Sequence, residues 1–125
     1  MKKFDNFESS LNNLKTIKDY EPPYSPTVLS GIINLFEITF ELSWKTRQEI
    51  LRQNGYLDQK SGSARTIIKE AYHAGIISNE SAWLNLLETH NLLTHIYDGD
   101  YSLETAEKIK SDYIPLFADA WKEVS

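Results

Sequence analysis

Residues 28–44, VLSGIINLFEITFELSW, decide the fold class, because they are apolar on most faces of a helix. Their apolar side chains recur at steps of three and four residues, which predicts an α-helix over about residues 27–54. Asn34, Glu37 and Glu41 interrupt the apolar run and argue against a membrane span. Such a helix is typical of a central, buried element, part of whose surface packs against a second chain.

The segments before and after this stretch show the same helical period. Residues 3–20 form an amphipathic pattern that the proline-rich segment 21–26 ends, because proline lacks a backbone donor and disfavours helix in the preceding residue. The Asn-Gly pair at 54–55 predicts a left-handed cap for the long helix. Ser63 is then expected to cap a short helix over residues 64–74.

Two more helices are predicted in the last third of the chain. Ser78 or Asn79 is expected to cap a helix that ends near the turn-forming residues 97–100. Ser102 is expected to cap the final helix, and Pro115 inside it predicts a kink. No segment alternates with the period of a strand. The sequence therefore predicts an all-α fold, an up-and-down antiparallel bundle of about five helices.

Composition limits the class of protein further. The chain has 125 residues, which suffice for one domain, so residues 1–125 are expected to form a single helical domain. It contains no cysteine, which excludes a disulfide framework and a cysteine nucleophile. Its polar N-terminus does not resemble a signal peptide, and a cytoplasmic location is expected. The net charge of −5 gives no general attraction to nucleic acid.

One stretch, residues 45–69, departs from this acidic character. It holds six basic residues against Glu49 and Asp58. The six are Lys45, Arg47, Arg52, Lys60, Arg65 and Lys69. Two interpretations stay open: an ordinary solvated face, or a basic patch that attracts an acidic surface or a phosphate-bearing ligand.

Residues 88–98, ETHNLLTHIYD, hold two of the three histidines. Asn91 and His95 are one helical turn apart, and an imidazole beside an amide near a helix end can act as an acid or base at neutral pH. The alternative is a hydrogen-bonded structural histidine. His90 and His95 lie on different sides of a regular helix and cannot hold one metal ion. The sequence predicts no metal site and no cofactor.

A charged stripe runs along the long helix. Glu37, Glu41 and Lys45 are spaced four apart, and Glu41 precedes Lys45 in the order that favours an ion pair. Burial of either carboxylate without a partner would cost several kcal/mol. The stripe therefore predicts either a buried network within the chain or a contact between subunits.

Several of these segments also match a known family in their order along the chain. They are Phe36-Glu37, residues 41–45, Gly55, residues 63–65, residues 68–71, Ala74-Gly75, Trp83, and Asn91 with residues 95–98. In these segments the chain resembles the HEPN superfamily, specifically its branch of nucleotidyltransferase substrate-binding proteins.

This resemblance implies a homodimer and a physical partner, a small nucleotidyltransferase encoded nearby, in a toxin–antitoxin-like pair. In related members an arginine and a histidine at the dimer cleft form a metal-independent ribonuclease centre, and a nearby tyrosine is adenylylated by the partner. His95 and Tyr97 match that histidine and tyrosine. We expect the long helix and residues 90–97 to lie near the dimer interface.

An interface or ligand cleft is expected around six residues, and a nucleotide or RNA is the expected ligand. The six are Phe36, Glu37, Glu41, Trp44, Lys45 and Lys69. His90 stands where this branch usually has arginine, next to Asn91. Histidine provides a charge only when protonated and has no bidentate grip on phosphate. A catalytic role for His95, Asn91 and His90 is therefore favoured less than a binding role.

Three functions follow from the sequence. The first is a non-catalytic substrate-binding or partner subunit of a nucleotidyltransferase. The second is a ribonuclease toxin that this partner neutralises. The third is a structural interaction domain without a ligand.

Overall fold

The long central helix organises the bundle, with shorter helices before and after it. The computed structural model describes residues 2–55, 62–93 and 99–124, and every regular element among them is helical. In chain order the elements are α1 (Lys2–Lys15) with a 3₁₀ turn (Thr16–Asp19), α2 (Pro26–Gln53), α3 (Ala64–His73), α4 (Glu80–Leu93), α5 (Gly99–Lys108), a π-helical turn (Ile109–Tyr113) and α6 (Ile114–Val124). The described residues thus form five helical units, since α5, the π turn and α6 are continuous, and the predicted all-α class is confirmed.

Capping side chains fix where the helices begin and end. The Ser25 hydroxyl accepts a hydrogen bond of 3.1 Å from the amide of Val28, and Pro26 occupies the first turn of α2. At the other end Gly55 has a φ of +78°, a left-handed conformation that glycine adopts without strain. The predicted Asn-Gly end of the long helix is confirmed.

Three later caps were predicted with different success. Ser63 caps α3 as expected, its hydroxyl accepting from the amide of Thr66. The open choice for α4 falls on Asn79, whose side-chain oxygen lies 3.1 Å from the amide of Ala82. The prediction that Ser102 caps the last helix is wrong, because α5 begins at Gly99 and Ser102 lies inside it.

A π turn comes directly before α6, whose second residue is Pro115, at the place where the sequence predicts a kink. The amide of Ile114 donates to the carbonyl of Ile109, five residues earlier. Proline has no amide hydrogen and its ring crowds the carbonyl four residues before it. A wider turn placed directly ahead of Pro115 lets the chain continue into α6 without that regular bond.

The core forms around one face of α2. Phe36 and Phe40, one turn apart, are both completely buried. The Phe36 ring stacks on Tyr113, with centroids 5.5 Å apart, and lies 6.2 Å from Phe117. Helix α1 packs along α2 and α6. None of the described helices has both the length and the apolar character of a membrane-spanning helix.

Polar groups inside this core are mostly paired. Ser10 and Thr39 share a hydrogen bond that joins α1 to α2. The Tyr113 hydroxyl lies 2.9 Å from that of Thr89 and donates to Asn85 over 3.2 Å, which joins the π turn to α4. These contacts satisfy the buried hydroxyl groups of Ser10, Thr39, Thr89 and Tyr113.

Arg47 is a buried cation without a hydrogen-bonding partner among the described residues. Its side chain is 1% exposed, and none of its three guanidinium nitrogens has an acceptor there. The guanidinium lies 3.8 Å from the centroid of the Trp83 ring, a cation–π contact. Burial lowers its pKa to about 9, against the opposing effect of Glu123. The interpretation of Arg47 as part of a basic surface is therefore wrong.

We predict that Arg47→Met stabilises the chain by about 1–3 kcal/mol, measured by urea denaturation at pH 7. A buried ion costs several kcal/mol, while the cation–π contact returns only about 2. The gain should shrink above about pH 9, where the native state releases a proton that the unfolded chain retains.

Arg52→Met is the matched control, because Arg52 is an exposed cation of the same helix paired with Glu49 at 3.4 Å. It should change stability by less than about 0.5 kcal/mol. A clear loss of stability in Arg47→Met alone would show that the guanidinium has a favourable partner that outweighs its burial.

Candidate functional site

A short chain of polar side chains connects α2 to the last turn of α4. The Lys45 ammonium lies 3.5 Å from one oxygen of the Glu41 carboxylate. The other oxygen lies 3.9 Å from Nε2 of His90, and Nδ1 of His90 lies 3.4 Å from the side-chain oxygen of Asn91. We refer to Glu41, Lys45, His90 and Asn91 as the Glu41–His90 cluster.

Packing rather than hydrogen bonding places His90 in this cluster. Its ring lies over Phe40, with centroids 4.7 Å apart and planes tilted by 41°. Phe40 is fully buried, so the imidazole has a rigid platform, and its side chain is only 14% exposed. Glu41 follows Phe40 directly in α2, which puts the carboxylate beside the same imidazole.

The electrostatic character of the cluster follows from the position of Glu41. The Glu41 carboxylate lies between the Lys45 ammonium and His90. It offsets the positive charge of Lys45 and, when the imidazole is protonated, that of His90. Both charged groups of the Glu41–Lys45 pair remain almost half exposed. The pair is therefore screened by water and weak, of the order of 0.5 kcal/mol.

Two further predicted residues extend along α2 beside the cluster. Trp44 is half-buried, and its indole nitrogen is buried without an acceptor among the described residues. The Lys45 ammonium lies 5.8 Å from the Trp44 ring centroid, within cation–π range. Glu37 is half-buried one turn before Glu41. Since both carboxylates keep access to water, the alternative of a fully buried network does not hold.

Two other members of the predicted cleft lie elsewhere. Phe36 is fully buried against Tyr113, which leaves none of its surface for a ligand or a second chain. Lys69 is exposed on α3 and has no recorded contact with the cluster among the described residues. The structure thus brings together Glu41, Lys45 and His90, but not Phe36 or Lys69.

The predicted acid–base histidine and modified tyrosine cannot be placed. His95 and Tyr97 lie outside the described residues, so their roles stay predictions. Among the residues that the structure does describe, no group of three or more His, Asp or Glu side chains is arranged to hold a metal ion.

The sequence of almost the whole chain, residues 2–125, matches the family model described as nucleotidyltransferase substrate binding protein like. The chain belongs to this family. Membership accounts for the order of the segments that resembled the HEPN branch, from Phe36 to the histidine-containing segment.

One relative is named for an activity. The probable ribonuclease HepT of Haemophilus influenzae is 28% identical over 85 residues. The match covers 66% of this chain and 58% of that protein, so it spans somewhat more than half of the relative.

Two solved structures share the fold over nearly their full length. The crystal structure of ttk003001694 from Thermus thermophilus has a TM-score of 0.75 and 26% identity, and the match covers 94% of each chain. The structure of HI0074 from Haemophilus influenzae, which is described as revealing the fold of a substrate-binding domain of a nucleotidyltransferase, has a TM-score of 0.82. Its identity is 21%, with 97% of this chain and 98% of that chain covered, a likeness that shows the fold.

Phe40 is the residue of this site that sequence analysis missed. It stood out only as one apolar residue of the long helix, and its contact with His90 joins residues fifty positions apart. No periodicity within one helix can reveal a platform that a different helix supplies.

On the expectation that a nucleotide binds at this cluster, we predict that Glu41→Gln binds AMP about fivefold more tightly than the wild type at pH 6, because the substitution removes a negative charge that repels the phosphate. In water, two unit charges about 4 Å apart interact by about 1 kcal/mol. Removal of the Glu41 charge should therefore free about that much interaction energy for the phosphate of the nucleotide. Isothermal titration calorimetry measures the change. Glu49→Gln, which alters a carboxylate farther along α2, should bind like the wild type. Weaker binding by Glu41→Gln would mean that the carboxylate itself contacts the nucleotide.

Proposed function

We propose that this chain is a non-catalytic substrate-binding and partner subunit of a small nucleotidyltransferase. Family membership supports the assignment as a substrate-binding subunit. The contact between His90 and Glu41 is the observation that supports the absence of catalysis. A phosphoryl group in a ribonuclease centre needs a fixed positive charge beside it. In this chain the equivalent position is a histidine that already faces a carboxylate.

The proposal includes the molecule's setting. Residues 1–125 act as one HEPN-like domain in the cytoplasm, without a cofactor, as the helical half of a toxin–antitoxin-like pair. The ligand is a nucleotide or RNA held near the Glu41–His90 cluster, beside Trp44 and Lys45. In this setting Tyr97 is the residue that the nucleotidyltransferase would modify.

An exposed apolar surface supports assembly into a homodimer. Ile38 on the outer side of α2 is 43% exposed, with Leu42 half-buried one turn on. Leu92 at the end of α4 is 40% exposed. Apolar side chains exposed near the predicted interface favour a second copy of the chain as their cover.

Coexpression with the neighbouring nucleotidyltransferase should yield a complex that survives size-exclusion chromatography. Sedimentation of the complex gives its stoichiometry, and the chain alone should sediment as a dimer at micromolar concentration. Ile38→Glu should give monomers, because it places a charge on the exposed apolar surface, whereas Lys18→Glu on an exposed turn should not. Failure to bind any such nucleotidyltransferase would leave a structural interaction domain as the function.

The second candidate is a ribonuclease toxin, which the 28% identity to a probable ribonuclease favours. We predict little or no cleavage of RNA by the wild type at pH 8, and stronger cleavage by His90→Arg, which restores a permanent charge. His95→Ala in that background should reduce any cleavage by ~10²–10⁴-fold, the usual effect of losing a general base.

Expression toxicity and cleavage of labelled RNA between pH 5 and pH 8 measure this activity. Cleavage that rises as the pH falls would agree with a clamp at His90 that depends on its positive charge. Robust cleavage by the wild type at pH 8 would reject the non-catalytic proposal in favour of the ribonuclease.

A further inference from the structure

The outer face of α3 carries a row of basic groups that the Glu41–His90 cluster does not use. Arg65, Lys69 and His73 are spaced four residues apart and are all exposed. At 1.5 Å per residue they extend over about 12 Å of one helix face. Tyr72, 44% exposed, lies beside His73 with ring centroids 6.0 Å apart. We refer to these four residues as the α3 ridge.

The cations of the α3 ridge differ from those on the neighbouring helix. On α2 the exposed Lys45 and Arg52 each have a carboxylate partner in their own helix. Arg65 and Lys69 have no ion-pair or hydrogen-bond partner among the described residues. The nearest acid in sequence, Glu70, is half-buried rather than on the exposed row. Within the described part of the chain, the ridge therefore presents positive charge without a carboxylate partner.

The opposite face of α3 holds the ridge in a fixed position. Ile67, Ile68 and Ala71 are completely buried in the core. Ser63 caps the first turn, and Gly75, with a φ of +77°, ends the helix. A rigid helix loses little conformational freedom on binding. The arginine and tyrosine that it presents are residue types enriched in the binding hot spots of protein interfaces.

The charge of the whole chain decides between an acidic protein and a nucleic acid as occupant. The ridge supplies two positive charges at neutral pH, while the chain has 18 acidic and 13 basic residues. A long polyanion that extended beyond about 12 Å would lie along a chain with a net charge of −5, which disfavours its binding. A folded partner can place a compact acidic patch on the ridge alone.

We propose that the α3 ridge is the surface through which the chain docks onto an acidic patch of its nucleotidyltransferase. This inference rests on the proposed function as a partner subunit. It places the basic binding surface on one face of α3 rather than along the whole basic stretch of residues 45–69. Lys45 and Arg47 do not belong to it, since one is paired with Glu41 and the other is buried.

The first test uses charge reversal in the purified pair. Arg65→Glu/Lys69→Glu should weaken the complex by about 10- to 100-fold, mainly through slower association. The matched control, Lys18→Glu/Lys108→Glu, changes the net charge equally at two exposed positions off the ridge and should stay within about threefold of the wild type. Raising the salt should weaken the wild-type complex more than the ridge variant. Surface plasmon resonance measures both rates.

The second test needs no variant and therefore does not depend on correct folding of one. Acetylation of the wild-type protein, followed by mass spectrometry, reports which lysines the complex covers. Lys69 should be protected in the complex, while Lys18 and Lys108 should react as in the free chain.

The outcomes separate this inference from the function on which it rests. A wild-type complex with unchanged affinity in the ridge variant and an equally reactive Lys69 would overturn the docking surface and leave the partner role intact. Failure of the wild-type chain to bind the nucleotidyltransferase would overturn both. If the ridge variant kept the complex but lost binding to a labelled single-stranded RNA, the ridge would be a nucleic-acid surface, and the docking proposal would be rejected.

Discussion

The packing of Phe36 and Phe40 along one face of α2 is the contact on which the other features depend. Phe36 stacks on Tyr113 and so holds the last helical unit against the centre of the bundle. Phe40, one turn later, supports the ring of His90 on α4. Because both rings are fully buried, the rotation of α2 about its axis is fixed. That rotation in turn determines which polar residues of α2 face outward beside α4.

The position of α4 is held from two directions. Its Thr89 and Asn85 bond the Tyr113 hydroxyl, while Trp83 lies under the Arg47 guanidinium. Phe40 meets His90 and Arg47 meets Trp83, so α2 and α4 run antiparallel and in a defined register. The 3.9 Å approach of His90 to Glu41 follows from this packing, since neither side chain has to leave its helix to make it.

Charge compensation distinguishes the two polar surfaces of the chain. In the Glu41–His90 cluster every formal positive charge has a carboxylate beside it, which suits a binding site of moderate polarity better than a site that stabilises a developing phosphorane. On the α3 ridge the positive charge is exposed and has no carboxylate partner in the described ranges. Specificity and rate of association are the properties that such charge controls in protein complexes. The two surfaces are thus suited to different tasks in the same chain.

The sequence by itself determined the helices, most of their ends and the family, because these depend on local periodicity, on capping residues such as Ser63 and Gly55, and on the order of short motifs. It misplaced Ser102, since several polar residues in a turn can begin a helix and only backbone geometry selects one. Tertiary structure alone decided that Arg47 is buried, that Phe40 supports His90, and that Glu41 faces His90 as well as Lys45, the partner that helical spacing predicted. Burial and charge pairing of these residues depend on contacts between helices distant in sequence, and a pattern along one helix contains no information about the face that a different helix will cover.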